Sequence, residues 1–143
     1  MIMRRLLPLL LSTLLLVSCA SSRLYYWGGG SDITAYQRLT YEYYKSQSPD
    51  DLCRLLILYD DMVSHPGGKR GTVPPGICAE YGFLLLQPET ASIFASNATQ
   101  RQKKQLSSID FTAHGVEMLN KEMELYPESQ PFIAPLLQRL SHQ

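Results

Sequence analysis

The sequence lacks an excess of charge of either sign. Its 143 residues include 13 lysines and arginines and 13 aspartates and glutamates. A protein that binds nucleic acid carries a surplus of basic residues, because it must neutralise phosphate groups. The composition therefore gives no reason to expect nucleic acid as a partner.

The sequence also lacks the short motifs that mark common active sites. It contains no H-E-x-x-H zinc motif, no G-x-S-x-G turn for a nucleophilic serine, and no Walker-type phosphate loop. Its three histidines, His65, His114 and His142, are far apart and lack the spacing of metal ligands. We therefore predict no catalytic residues, no cofactor, no metal, and a protein that is not an enzyme.

The N-terminal apolar run is too short to span a bilayer, which takes about 20 residues. It extends from Leu6 to Val17 and follows Arg4 and Arg5. A positive segment followed by a short apolar segment is typical of a secretory signal peptide. We predict such a signal peptide over residues 1–18.

The predicted signal peptide ends in Leu16-Val17-Ser18-Cys19, which resembles a bacterial lipobox. The resemblance implies cleavage before Cys19 and acylation of that cysteine, so that the protein binds a membrane through N-terminal acyl chains. Two or three chains anchor it firmly, because each buried methylene contributes about 0.8 kcal/mol. Ala20 stands where an aspartate would favour the inner membrane. We therefore expect a lipid anchor in the outer membrane and a domain facing the periplasm, with the leaflet left open.

The predicted mature chain is large enough for one domain with a single core. Removal of residues 1–18 leaves 125 residues, and because both signal-peptide charges are arginines, the 13 basic residues fall to 11 against 13 acidic ones. Cys53 and Cys78 remain in an oxidising compartment, where they can form a disulfide. That bond would close a loop of about 25 residues and add on the order of 3 kcal/mol. They can equally be two buried thiols.

Residues 19–31 contain small residues and three consecutive glycines, which do not hold a helix. We predict a flexible tether here, between the lipid and a helical domain over residues 32–143. The aromatic residues Tyr25, Tyr26 and Trp27 can lie among lipid headgroups or pack back onto the domain.

The first part of the domain shows the start and stop signals of a helix pair. Ser31 or Asp32 is predicted to cap a helix that ends near Gln47. Ser48 followed by Pro49 gives the clearest helix start in the chain. The apolar face of this second helix consists of Leu52, Leu55, Leu56, Tyr59 and Met62 or Val63.

The rest of the domain also has helical patterns. A glycine- and proline-rich loop is predicted over 66–76, then a helix to Gln87 and a weaker helical pattern over 89–109. A further stripe of apolar residues ends at Pro127. Ser129 can cap a last helix, which Pro135 should bend or delay. Because no run alternates strictly between apolar and polar residues, we predict an all-α fold of antiparallel helical hairpins.

The densest basic patch lies within the weaker helical pattern over 89–109 and consists of Arg101, Lys103 and Lys104. Such a patch is usually a solvated helix face. Contact with anionic lipid headgroups or with an acidic partner is the alternative.

Two stretches of the sequence carry a family resemblance. VPPGICAEYGFLLLQ at 73–87 and EMLNKEMELYPESQPFIAPLLQRL at 117–140 resemble a family of small bacterial lipoproteins with a tetratricopeptide-like helix pair. Such proteins are typically encoded beside a lipoprotein similar to the curli secretion channel. The resemblance implies that other envelope lipoproteins, including one like that channel, are partners.

The resemblance extends to single positions of the tetratricopeptide pattern. Tyr81-Gly82 lies where that pattern has a Leu-Gly pair, and a glycine there lets two helices approach closely. Gly115 corresponds to the small residue of the second helix and Pro127 to the closing proline. From Leu85 to Gly115 is 30 residues, where one repeat uses about 9. The resemblance therefore implies a tetratricopeptide-like hairpin with an inserted segment of about 20 residues.

These observations leave two main functions open. One is a non-catalytic helical adaptor or accessory factor in an outer-membrane lipoprotein complex. The other is an envelope enzyme or small-ligand receptor with a site between the helices and the insertion. A pocket holding His114 with a carboxylate and a nucleophile in hydrogen-bonding reach would favour the second. A mechanical role in the envelope is a third possibility.

Overall fold

The computed structural model describes residues 23–140, so the predicted signal peptide (1–18), Cys19 and His142 lie outside the described residues. No strand occurs within 23–140, and the predicted all-α class is confirmed. In the same part of the chain, no helix combines the length and the apolar character needed to cross a membrane. The helices are α1 (Ala35–Ser46), α2 (Pro49–Ser64), α3 (Ile77–Leu85), α4 (Thr90–Asn97), α5 (Gln100–Gln105), α6 (Phe111–Leu125), a 3₁₀ helix (Pro127–Ser129) and α7 (Gln130–Leu140).

Helix α1 begins later than predicted, because Thr34 caps it rather than Ser31 or Asp32. The Thr34 hydroxyl accepts a hydrogen bond from the backbone amide of Gln37 (3.2 Å). In return, the Gln37 side-chain oxygen accepts one from the Thr34 amide (3.0 Å). This reciprocal capping box satisfies two amides at once. It fixes the helix start at Thr34, and the predicted cap is wrong.

Helix α2 begins as predicted and forms the centre of the core. The Ser48 hydroxyl accepts from the Asp51 amide (3.1 Å), and Pro49 occupies the first turn. Just before it, Gln47 adopts a left-handed conformation (φ 52°) that ends α1 and turns the chain. Helix α2 packs against α1, α3, α4 and α5. Its buried side chains are Asp51, Leu52, Cys53, Leu55, Leu56, Leu58, Tyr59 and Met62.

Helices α3 and α6 cross at a pair of glycines. A Cβ on Gly82 would lie 2.8 Å from the carbonyl oxygen of Gly115. A Cβ on Gly115 would lie 2.7 Å from Cγ of Leu86. Both distances are shorter than real contacts allow, so the two helices approach this closely only because both positions lack a side chain. The predicted reason for Gly82 is therefore confirmed.

Two short helices separate α3 from α6 along the chain. Helix α4 buries Phe94, and the segments around α5 bury Ala98 and Leu106. Thr99 caps α5 through a second capping box with Gln102. The weak helical pattern over 89–109 thus corresponds to two helices, with a break at 98–99, and its apolar residues attach this stretch to the core.

Helix α7 is not delayed by its internal proline. It begins at Gln130, directly after the 3₁₀ helix, and continues through Pro135 to its end. In a regular helix the carbonyl of Pro131 would accept a hydrogen bond from the amide of residue 135. Proline has no amide hydrogen, so this bond is missing. Both prolines are exposed, so the hydrogen bond is lost on the side of the helix that faces water.

The segment predicted as a flexible tether is packed onto the domain from Arg23 onwards. The Tyr26 hydroxyl donates to Asp61 of α2 (3.1 Å), and the Trp27 ring lies 5.2 Å from the Tyr36 ring, centroid to centroid. Gly28 lies so close to α2 that a Cβ there would meet Leu58 at 2.6 Å. The aromatic residues therefore pack back onto the domain, which is one of the two predicted alternatives.

Candidate functional site

Both cysteines of the described domain are buried free thiols. Cys53 lies on α2 and Cys78 on α3, and they do not form a disulfide. Burial raises the pKa of the Cys53 thiol and raises the pKa of the Cys78 thiol to about 11. Because the thiolate is the reactive form, burial disfavours reaction at both cysteines. Cys19, the predicted acylation site, lies before the described residues.

The two histidines within the described residues, His65 and His114, lie in different parts of the fold and have different partners. His65 is exposed at the end of α2 and lies 3.2 Å from Asp61. His114 on α6 pairs with Glu117 one turn later (2.9 Å), and its ring packs edge-on against Tyr81. Within 23–140, the hydrogen bond of the His114 ring goes to that carboxylate and to no hydroxyl or thiol. The same residues include no group of three or more histidine, cysteine or carboxylate side chains placed to hold a metal ion.

A buried carboxylate from α6 caps the start of α3. Glu122 is only 3% exposed. Its two oxygens accept from the backbone amides of Gly76 (2.7 Å) and Ala79 (3.3 Å). Gly76 precedes the helix and offers no capping side chain of its own. Burial raises the pKa of Glu122, and the amides partly oppose that shift. The cap is structural, and sequence reasoning missed it because its partners lie 43 and 46 residues away.

A second carboxylate joins three helices. Glu80 of α3 accepts from the Tyr36 hydroxyl of α1 (2.8 Å) and from the Tyr59 hydroxyl of α2 (2.5 Å). Burial and the bonds to Glu80 raise the pKa of both tyrosines. They therefore stay protonated and keep donating. The contact fixes how α1, α2 and α3 stand relative to one another.

Beside Glu80, an aromatic groove runs between α1 and α3. We call it the α1/α3 groove. Tyr44 and Phe83 stand on its two sides and are 61% and 40% exposed. Burial and the nearby Glu80 carboxylate raise the pKa of Tyr44. The groove has a volume of about 370 Å³ and continues into a cleft of about 450 Å³ with which it shares Tyr43, Gln47 and Gln87. Its lining consists of Tyr43, Tyr44, Gln47, Glu80, Phe83, Leu84 and Gln87.

A larger cleft lies between α2 and the residues around the start of α5, and two of its charged side chains, Asp51 and Arg54, already serve the fold. It has a volume of about 670 Å³. Asp51 in its wall accepts hydrogen bonds from Ser46, Arg54 and Ser48, which lower the pKa of this carboxyl to about 2. Arg54 also pairs with Glu42 of α1 (3.0 Å). These bonds hold α1 onto α2 and leave the α1/α3 groove as the better candidate for recognition.

The α1/α3 groove combines three kinds of binding group. Aromatic rings offer large, rigid apolar contacts, and they are enriched in protein interfaces. The amides of Gln47 and Gln87 can each donate to and accept from a peptide backbone. The Glu80 carboxylate retains acceptor capacity for a cation. Sequence reasoning missed Phe83 as a binding residue, because only the fold brings α3 beside α1.

No family model matches the chain, and no curated protein or solved structure gives a significant match. The family resemblance of residues 73–87 and 117–140 therefore stays a prediction.

Proposed function

We propose that this chain is a cell-envelope lipoprotein, acylated on Cys19, that acts as a non-catalytic helical adaptor or accessory factor in an outer-membrane lipoprotein complex. The lipobox at 16–19 supports the anchor. Two observations support a binding role over an enzymatic one. The described thiols are buried, and His114 bonds a carboxylate on its own helix without a nucleophile beside it among the described residues.

The observation that carries the binding role is the α1/α3 groove. Tyr44 and Phe83 expose their rings on either side of a groove whose geometry is fixed by the bonds from Tyr36 and Tyr59 to Glu80. A fixed groove loses little conformational entropy on binding, which favours affinity. Its chemistry fits a peptide segment of another envelope protein that places an apolar side chain beside a lysine or arginine.

The family resemblance supports a specific partner. Residues 73–87 and 117–140 correspond to α3 and to the end of α6 with α7. We infer a tetratricopeptide-like pairing of α3 with α6, interrupted by the inserted helices α4 and α5. The implied partner is a lipoprotein similar to the curli secretion channel, held with this chain at the periplasmic face of the outer membrane.

Affinity purification of the full chain from detergent-solubilised membranes tests the proposal. The wild-type chain should co-purify the channel-like lipoprotein, and truncation of both rings, in Tyr44→Ala with Phe83→Ala, should reduce its recovery by roughly tenfold or more, as for interface aromatics in general. Phe132→Ala is the matched control, because Phe132 is an aromatic residue on α7 that is 81% exposed. This control should recover the partner in full.

Two results would contradict the proposal. If the wild-type chain recovers no envelope lipoprotein, the adaptor role is refuted. If the Tyr44 and Phe83 double variant recovers as much partner as the Phe132 control, the groove is not the binding site.

A further inference from the structure

Backbone hydrogen bonds bring three cationic residues from two distant parts of the sequence to one surface. The amide of Lys69 donates to the carbonyl of Arg23 (3.1 Å), and the amide of Arg70 donates to the carbonyl of Leu24 (2.9 Å). All four side chains are exposed. We call the surface formed by Arg23, Leu24, Tyr25, Lys69 and Arg70 the basic N-terminal patch.

Two glycines hold this patch together. Gly68 has φ +78°, and a Cβ there would lie 2.6 Å from the Leu24 carbonyl oxygen and 2.7 Å from the Tyr25 Cα. A Cβ on Gly67 would lie 3.2 Å from Tyr26. The neighbouring atoms at Gly68 are backbone and cannot move aside cheaply. The loop over 67–71 can therefore lie against residues 23–26 only because position 68 is glycine, and the glycine at 67 eases its contact with Tyr26.

The cations of the patch have no anionic partner among the residues described, although the Arg23 guanidinium also donates to the carbonyl of Ser31. Among the residues described, the ion pairs involve Arg38, Arg54, His65 and His114, and none of the three patch cations. Arg70 lies over the ring of Tyr25, 5.9 Å from its centroid. Leu24 stands beside them and is 56% exposed. Cations next to an exposed apolar side chain and a half-buried aromatic ring suit the boundary of a bilayer, where headgroups and acyl chains meet.

The proposed lipid anchor places this patch close to the membrane. Cys19 precedes Arg23 by four residues, which span at most roughly 14 Å when fully extended. We propose that the basic N-terminal patch faces the bilayer and binds anionic lipid headgroups, so that the domain is held in one orientation on the membrane. This inference rests on the proposed acylation of Cys19 and adds an orientation to it. A fixed orientation of the domain also gives the α1/α3 groove a defined position relative to the membrane.

Hydrogen–deuterium exchange of the full acylated chain in vesicles tests the orientation. One set of vesicles contains phosphatidylcholine alone, and the other contains phosphatidylcholine with phosphatidylglycerol. Exchange of the peptide covering 66–72 should slow by roughly tenfold or more in the anionic vesicles, because each of the three cations near such a surface contributes about fivefold to association. High salt should remove the difference by screening.

The chain offers a matched pair of variants. Arg23→Gln with Lys69→Gln and Arg70→Gln removes the patch charges and should abolish the slowing. The control changes the same number of charges in the other basic patch, as Arg101→Gln with Lys103→Gln and Lys104→Gln, and it should preserve the slowing. Glutamine is a good helix former, so the control leaves α5 intact.

Three outcomes would overturn the inference. The first is equal exchange of the 66–72 peptide in both kinds of vesicle. The second is slowed exchange of that peptide in the patch variant as well, and the third is slowed exchange of the 99–105 peptide instead. Slowing that appears only when the co-purified partner protein is added would assign the patch to an acidic protein. The intact mass of the same preparation shows separately whether Cys19 is acylated. The preparation can lack acyl groups and still sediment with the anionic vesicles but not with the neutral ones. If the patch variant then no longer sediments, the lipid-binding surface is supported although the anchor proposal fails.

Discussion

Removal of the Glu122 carboxylate should destabilise the domain more than its position near the end of α6 suggests. The Glu122→Ala variant leaves the amides of Gly76 and Ala79 without their acceptor, and both lie at the start of α3 beside a buried side chain. An unsatisfied buried donor costs about 1–3 kcal/mol. Two such donors give about 2–6 kcal/mol before relaxation and solvent entry, and we expect a loss of about 3 kcal/mol in the free energy of unfolding.

Urea denaturation followed by circular dichroism measures this loss at a single pH. Glu122→Gln keeps one acceptor oxygen and should lose about 1 kcal/mol, the net value of one hydrogen bond. Glu124→Ala is the control, since Glu124 is an exposed residue on the same helix, and it should change stability by less than about 0.5 kcal/mol. If Glu122→Ala unfolds at the same urea concentration as Glu124→Ala, the carboxylate does not cap α3 and the reasoning is refuted.

Two further predictions concern the contacts between helices. The folded pKa of Asp51 lies below its ordinary value of 3.8, at about 2, so its contribution to stability is complete above that ordinary value and disappears as the pH falls through the folded pKa. Asp51→Asn should therefore lose stability at neutral pH and approach the wild-type chain only as the pH falls below about 2, in urea midpoints measured across the acid range. Gly82→Ala places a Cβ 2.8 Å from the Gly115 carbonyl oxygen and should cost about 1–3 kcal/mol despite the helix propensity of alanine. A thermal unfolding temperature equal to or above that of the wild-type chain would contradict it.

Local signals in the sequence predicted much of the fold. Ser48 and Pro49 mark the start of α2 because a cap acts on amides within three residues of itself, so the pattern and its effect lie side by side. Thr34 and Gln37 carry an equally local pattern. The start of α1 was misplaced because Ser31 and Asp32 have the right side chains without the partner three residues later that completes a capping box.

Contacts between distant segments were not predictable in the same way. Gly68 looks like an ordinary turn residue in the sequence, and its close approach to residues 24–25 depends on where the N-terminal segment lies. Glu122 looks like a solvated residue of an amphipathic helix until α3 begins opposite it. Phe83 has an apolar side chain that suits the core equally well, and only the placement of α1 leaves it exposed beside Tyr44.

The position of α3 links these features to the proposed function. The helix has nine residues, and a helix of that length is not stable alone in water. Its N-terminus is held by Glu122, its middle lies against α6 at Gly82, and its remaining face carries Glu80 and Phe83 into the α1/α3 groove. The groove therefore depends on α6 although α6 does not line it. Substitution of Glu122 should weaken partner recovery as well as stability, whereas substitution of Tyr44 should weaken recovery alone, because Tyr44 is exposed and supports no core contact of α3.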